Sequence, residues 1–119
     1  MNGLEDRAKE LGRLIGQSTE YQAVKRANDA LGEDRDAVAL LRQMEKLRMD
    51  AQRMISRGEQ PTPEMEQQLD ELLERVQVNP LYQRVVAAQE NFDKTMGRVN
   101  DWILDGIQKG AVSPIITLG

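Results

Sequence analysis

The chain has 119 residues, of which 30% are charged and 3% aromatic, and its formal net charge is −4. It contains neither histidine nor cysteine, which excludes imidazole and thiolate catalysis, disulfides, and metal sites built on these side chains. A composition rich in Leu, Met, Ala, Glu, Gln and Arg favours a single all-α domain over a β-sandwich or barrel. The negative charge gives the molecule no general attraction to nucleic acid or to an anionic membrane.

No apolar run approaches the roughly 20 residues that a membrane-spanning helix needs. The amino-terminal residues lack the basic start and apolar stretch of a secretory signal. The absence of cysteine is compatible with a reducing compartment. We therefore expect a cytoplasmic protein that does not associate with membranes.

Two helical segments are predicted in the first third of the chain, each with apolar residues at steps of three and four. The stripe of the first segment consists of Leu4, Ala8, Leu11 and Ile15. The second segment has Ser18 as a candidate N-cap, Gly32 as a natural stop, and one face formed by Tyr21, Val24, Asn28 and Leu31. Whether these are two helices or one helix bent near Ser18 stays open.

A longer third helix is predicted from about Asp34 to Arg57, followed by a loop and a fourth helix. The third helix has a stripe of Leu40, Met44, Leu47, Ala51 and Met54. Gly58 stands where a left-handed residue commonly ends a helix. Thr62 as N-cap and Pro63 as first helical residue predict the start of the fourth helix. Its stripe consists of Met65, Leu69, Leu72 and Val76.

The last helix is predicted to begin at Pro80, after Asn79 as N-cap, and to run to about Lys109. Its stripe consists of Leu81, Val85, Ala88, Phe92, Met96, Val99 and Ile103. Pro114 predicts that the helix does not continue, because proline lacks the backbone donor. The expected organisation is an elongated antiparallel bundle of about five helices over residues 1–109. Residues 110–119 would form a non-helical apolar tail, in which Ile115, Ile116 and Leu118 need cover.

The predicted last helix is too long for a compact domain of this size. About 30 residues span roughly 45 Å, whereas a compact chain of this length has a diameter of about 35 Å. Either other parts of the chain cover the distal end of the apolar stripe or a second chain does. We expect a homodimer or hetero-oligomer, with candidate contacts at Phe92, Met96, Val99 and Ile103.

No constellation in the sequence predicts catalytic residues, a metal site or a cofactor. The fourth helix has several carboxylates opposite its apolar stripe, namely Glu66, Asp70, Glu71 and Glu74. Such a face is normally solvated and not a site for acid–base chemistry or cations. The methionines are interpreted as core residues that fill gaps between helices, except Met49, which falls off its stripe and could mark a second contact surface.

One pattern of charged residues in the sequence is regular enough to suggest a function. Basic residues on the third helix follow steps of seven, four, seven and four and share a window of about 60° opposite the apolar stripe. They are Arg35, Arg42, Lys46, Arg53 and Arg57. This basic stripe is either a solvated face, partly neutralised by Glu45 and Asp50, or a docking surface for an acidic protein or a nucleic-acid backbone. Protein is favoured over nucleic acid, because no aromatic residue interleaves the basic ones.

The order and spacing of these elements resemble the YlbF/YmcA family of small all-helical bacterial regulatory proteins, from about Ala8 to Ile107. The resemblance depends on the segments Leu11–Ile15 and Ser18–Tyr21, on Gly58 before the proline-containing loop, and on the Asn79-Pro80 break. It continues in the last helix with the segment Ala87–Phe92.

The resemblance implies a non-enzymatic adaptor that self-associates or joins related subunits in complexes that influence an endoribonuclease, mRNA processing and development. Some of those complexes carry iron–sulfur clusters on cysteines, but this chain has none to hold a cluster. Two alternatives are a nucleic-acid-associated protein that uses the basic stripe and a chaperone-like protein that shields apolar segments.

Overall fold

The computed structural model describes the backbone of residues 2–118 and the side chains of residues 2–112. Within these residues there are five helices and no strand. The helices are α1 (Asn2–Gln17), α2 (Thr19–Glu33), α3 (Arg35–Ser56), α4 (Pro63–Gln77) and α5 (Pro80–Leu118). The predicted all-α fold is therefore confirmed, with the starts of α4 and α5 at the predicted prolines.

Ser18 separates α1 from α2, so the chain forms two helices at this point. The backbone of Ser18 is extended, with φ −64° and ψ 152°. Its hydroxyl accepts a hydrogen bond from the Tyr21 N–H at 3.2 Å and donates one to the Ile15 carbonyl at 2.6 Å. The side-chain amide of Gln22 also donates to the Gly16 carbonyl at 2.8 Å. These bonds satisfy backbone groups that the two helix ends leave free.

A single residue, Asp34, joins α2 to α3. Its backbone N–H donates to the Leu31 carbonyl at 3.1 Å, and its carboxylate accepts from the Ala37 N–H at 2.9 Å. Asp34 thus ends one helix and begins the next. The predicted stop at Gly32 is wrong by one residue, because the cap at Asp34 satisfies the helix end and Gly32 itself lies within α2.

The loop between α3 and α4 and the break before α5 follow the local chemistry of the sequence. Gly58 has φ +80°, a left-handed conformation that favours glycine. The Thr62 hydroxyl accepts a hydrogen bond from the Met65 N–H at 3.1 Å. The side-chain oxygen of Asn79 accepts from the Leu81 N–H at 2.9 Å and caps α5.

The helices pack as two units that meet at one end. α2 lies antiparallel on α5, since Tyr21 at the start of α2 meets Phe92 while Leu31 near its end shares a small cavity with Tyr82. α3 and α4 pack mainly on each other and form a two-helix unit that we call the arm. The arm joins α2 and α5 at its base, around Leu31 and Val76.

The core is small and follows the predicted stripes. Its buried side chains are Val24, Ala27, Leu31, Ala37, Met44, Val76 and Val99. The radius of gyration is 21.8 Å and the principal extents are 68 × 37 × 22 Å. A compact chain of this length would have a radius of gyration of about 13.5 Å. The molecule is therefore elongated, and much of its apolar surface faces solvent.

The end of α5 differs from the prediction. The helix continues past Lys109 and through Pro114 to Leu118, so the predicted non-helical tail is wrong for the backbone of residues 110–118. The prediction treated proline as an absolute stop. A proline removes one backbone donor, and the neighbouring residues can keep helical dihedrals at a cost. The need for cover predicted at Ile115, Ile116 and Leu118 concerns side chains outside the described residues.

Candidate protein-binding surfaces

The basic stripe lies along the outer surface of the arm. Its five residues are all exposed, as their position opposite the α3 core stripe predicts. On the other side of α3, Ala37 and Met44 are buried, 3% and 7% exposed. The stripe is thus carried on a helix whose opposite face is fixed by packing.

Glu45 and Asp50, which the sequence predicts to neutralise part of the basic stripe, form no ion pair with it. Glu45 pairs with Arg48, at 3.9 Å, and Arg48 lies outside the stripe. No ion pair involving a stripe residue occurs among the side chains of residues 2–112. Asp50 lines the groove between α3 and α4 together with Lys46, so it lies beside the stripe without an ion pair. The stripe therefore presents its charge directly to solvent.

Met49 lies beside the basic stripe. At about 100° per residue it is within about 40° of Arg42 and Arg53. Its side chain is 47% exposed, and it lines a shallow groove with Gln52, Arg53 and Ser56. Met44, in contrast, is buried in the arm. The predicted distinction between core methionines and Met49 agrees with these positions.

The carboxylates of α4 lie where a solvated face would place them. Glu66, Asp70, Glu71 and Glu74 are all exposed. Within the described residues, no group of three or more acidic side chains is arranged to hold a metal ion. The arm therefore carries opposite charges on its two helices, basic on α3 and acidic on α4.

A second surface lies at the distal end of α5. Every residue from Asn100 to Val112 is exposed, so this stretch of helix has little cover from the rest of the chain. It contains large apolar side chains that are 44–66% exposed, namely Trp102, Ile103, Leu104, Ile107 and Val112. These exposed apolar side chains lie on several sides of the helix and do not form a single stripe.

The four predicted oligomer contacts fall into two groups. Phe92 makes an edge-to-face contact with Tyr21, with ring centroids 5.4 Å apart, and Val99 is 6% exposed. These two side chains, with the half-buried Met96, are mostly covered within the chain itself. Ile103 is 44% exposed and belongs to the uncovered end. The uncovered part of α5 therefore begins beyond Val99.

α1 adds apolar side chains that are also uncovered. It has no buried residue, and its Leu4 and Leu14 are 65% and 53% exposed. α1 contacts α2 and is not packed extensively along α5. We call these exposed apolar residues of α1 and distal α5 the apolar surface: Leu4, Leu14, Trp102, Ile103, Leu104, Ile107 and Val112.

Sequence reasoning identified only Ile103 of the apolar surface as a contact. Trp102, Leu104 and Val112 lie off the predicted apolar stripe, so helical periodicity alone does not predict them as contacts. The signal available was the density of large apolar residues in a segment that also contains Gly106 and Gly110. Such a segment is a poor helix by itself and needs packing on several sides.

Comparison with known proteins decides the family. The family model described as control of competence regulator ComK, YlbF/YmcA, matches residues 4–108. The chain belongs to the YlbF/YmcA family. Among YlbF/YmcA relatives, the UPF0342 protein of Streptococcus mutans is 33% identical over 71% of this chain and 75% of its own length. A UPF0342 protein of Halalkalibacterium halodurans is 26% identical over 92% of this chain and 94% of its own.

Solved structures of related shape support the fold of this YlbF/YmcA member. A chain in the crystal structure of Bacillus subtilis RicA in complex with RicF superposes with a TM-score of 0.77 at 18% identity, covering 91% of this chain and 96% of that one. A Bacillus stearothermophilus protein of unknown function, DUF964, gives 0.65 at 20% identity, covering 94% and 98%. Both are helical proteins, so the five-helix architecture is shared.

None of the helices in the described part of the chain has a stretch both long and apolar enough to cross a bilayer.

Proposed function

We propose that this protein is a non-enzymatic regulatory adaptor that binds a second helical subunit, a copy of itself or a related chain, through its apolar surface. The observation that carries the proposal is the bare segment of α5 from Asn100 to Val112. Family membership supports a regulatory role, since the YlbF/YmcA model is described by control of the competence regulator ComK.

The bare segment needs a partner for energetic reasons. In proteins, most of the stability of a helix comes from packing of its apolar face and little from intrinsic propensity. This segment contains Gly106 and Gly110, each costing about 0.5–1 kcal/mol relative to alanine. Packing against a second subunit supplies the apolar burial that makes such a helix stable.

The size of the apolar surface supports a specific interface. Its seven side chains together expose on the order of 700 Å², distributed over α1 and over several sides of distal α5. A standard interface buries about 800 Å² on each partner. A partner that packs on more than one side of distal α5 would therefore bury an area close to that of one stable interface.

A relative of the same fold supports a protein partner. RicA of Bacillus subtilis has been crystallised in complex with RicF. We propose a similar mode of action for this chain, in which a complex of related subunits is the regulatory species. We further propose that the regulated process is mRNA processing or a developmental pathway, as the family resemblance implies.

The test uses the intact protein and one surface variant, Trp102→Gln. Tagged wild-type and variant proteins are expressed in the native cell, and bound proteins are identified by mass spectrometry. Recovery of a related subunit or an RNA-decay enzyme with the wild type, and its loss with the variant, supports the proposal. The proposal is contradicted if the wild type is monomeric and no protein is recovered whose binding depends on Trp102. Many unrelated unfolded clients would instead indicate a chaperone.

A further inference from the structure

We infer that the basic stripe of α3, with Met49 beside it, is a docking site for an acidic amphipathic helix carried by another protein. The inference rests on the proposed adaptor function, for which it names a second partner class. The docking site lies on the arm, whereas the apolar surface lies on α1 and distal α5. An experiment can therefore contradict the docking site on the arm without contradicting the proposed role of the apolar surface, and the reverse.

The geometry of the stripe matches a helix. From Arg35 to Arg57 the basic residues extend over about 33 Å at ~1.5 Å per residue. Their steps of seven and four repeat every eleven residues, so they form a nearly straight line along α3. An antiparallel helix with carboxylates at the same steps places each acidic group opposite a basic one.

The charge of the surroundings favours a narrow partner. Glu45 lies on one side of the stripe, about 90° from its centre, and Asp50 lies on the other side, about 50° from its centre. A single acidic stripe fits between these two carboxylates. A nucleic acid has charge on a wider surface and would bring phosphates close to both, and α3 has no aromatic side chain on which bases could stack.

Met49 supplies the apolar part of the site. It is 47% exposed beside the stripe, in a shallow groove with Gln52, Arg53 and Ser56. Flexible methionines are common where a surface accepts an apolar side chain. An acidic helix with one leucine or isoleucine beside its carboxylates would cover Met49. This requirement distinguishes an amphipathic helix from a purely acidic one.

A second copy of this chain fits the site less well. The acidic face of α4 extends from Glu64 to Glu74, about 15 Å along the helix. It can therefore meet less than half of the basic stripe at one time. The occupant that uses the whole stripe is a longer acidic helix from another protein.

The test measures the binding of a synthetic acidic helix to the full-length protein by fluorescence anisotropy. The probe has about six turns, with glutamates at steps of four and seven and one leucine beside them. A scrambled peptide of the same composition and a single-stranded RNA of similar charge are the comparison ligands. The charge-reversal variant carries Arg42→Glu, Lys46→Glu and Arg53→Glu.

A matched control variant carries Lys25→Glu, Arg84→Glu and Lys94→Glu, which are exposed positions on α2 and α5. It changes the net charge by the same amount. We expect the stripe variant to weaken peptide binding by about tenfold or more, because three favourable pairs become repulsive. The control variant should stay within about twofold of the wild type, since its changes lie away from the stripe.

The apolar contact is tested separately. Met49→Gln should weaken peptide binding about threefold to tenfold, whereas Ile55→Gln, at a position 61% exposed on another face of α3, should not. Both triple variants should assemble like the wild type, which keeps this test separate from that of the apolar surface.

Four results would overturn the inference. They are equal effects of the two triple variants, equal binding of the designed and scrambled peptides, binding of the RNA but not the peptide through the stripe, and dissociation of the protein's own assembly by the stripe variant. The third would indicate a nucleic-acid interface, and the fourth a second copy of the chain as occupant.

Discussion

Replacing Trp102 with glutamine should disrupt the assembly of this protein without unfolding the subunit. The side chain is 66% exposed in the subunit. A tryptophan can bury up to about 250 Å², so a partner can cover roughly 160 Å² more, worth about 4 kcal/mol at ~25 cal/mol per Å². Incomplete cover and the contacts that glutamine retains reduce the expected loss to about 2–3 kcal/mol for each copy. This loss corresponds to at least about a 30-fold increase in Kd.

The assay is sedimentation velocity over a dilution series, with tryptophan fluorescence as a second signal. Trp102 is the sole tryptophan, so a shift of its emission to shorter wavelength with increasing concentration reports its burial directly. Ile55→Gln is the control, because Ile55 is similarly exposed at 61% but lies on the arm. Thermal unfolding should change little in Ile55→Gln, as expected for an exposed position. Trp102→Gln should differ from the wild type only at concentrations where the wild type assembles, because association stabilises the folded subunit.

Two observations would refute this reasoning. A wild-type protein that remains monomeric at about 100 μM, a concentration that detects even weak association, would show that the apolar surface does not bind a second copy. Equal association of wild type and Trp102→Gln would show that the interface lies elsewhere. A hetero-oligomer is then tested by repeating the measurement with the partner recovered from the cell.

Three further predictions concern stability, each measured by urea unfolding. Gly58→Ala should destabilise the protein by about 1 kcal/mol, because φ is +80° at this position. Gly97→Ala should stabilise it by about 0.5–1 kcal/mol, because Gly97 lies within α5 and has open space around its Cβ position. Equal effects of the two substitutions would contradict the argument from backbone conformation. Thr62→Ala should cost about 1 kcal/mol through loss of the α4 cap, and Thr62→Ser should restore most of it. Leu31→Ala should cost about 2–4 kcal/mol, because the side chain is 8% exposed where the arm joins α2 and α5. A loss below about 1 kcal/mol would mean that this junction is not a packed core.

The helices were predictable because their limits depend on local chemistry. The Thr62 hydroxyl and the Asn79 amide lie within three residues of the N–H groups that they bind, so their roles can be inferred from sequence. The basic stripe was predictable for a similar reason. Its exposure follows from its position opposite a core stripe on the same helix.

Tertiary contacts and the end of α5 were not predictable in this way. The contact of Tyr21 with Phe92 joins residues far apart in the sequence, and periodicity does not reveal which helices meet. The length of α5 indicated that its distal end needs cover, but the apolar stripe did not show that cover within the chain ends after Val99 or that Trp102 lies in the uncovered part. Pro114 predicts a helix end because proline removes a backbone hydrogen bond. The helix continues through it to Leu118, and this local cost alone does not determine where α5 ends.

The two connections at the base of the arm have a mechanical consequence. One is the single residue Asp34, which is hydrogen-bonded to Leu31 and Ala37. The other is the pair Val78 and Asn79, of which Asn79 lines the same small cavity as Leu31 and Ala37. Two short connections that leave the arm side by side give it little freedom to twist or slide, and the buried side chains of Leu31 and Val76 between them resist tilting. A force applied to α3 by a partner would therefore reach α2 and α5 through the packing around Leu31.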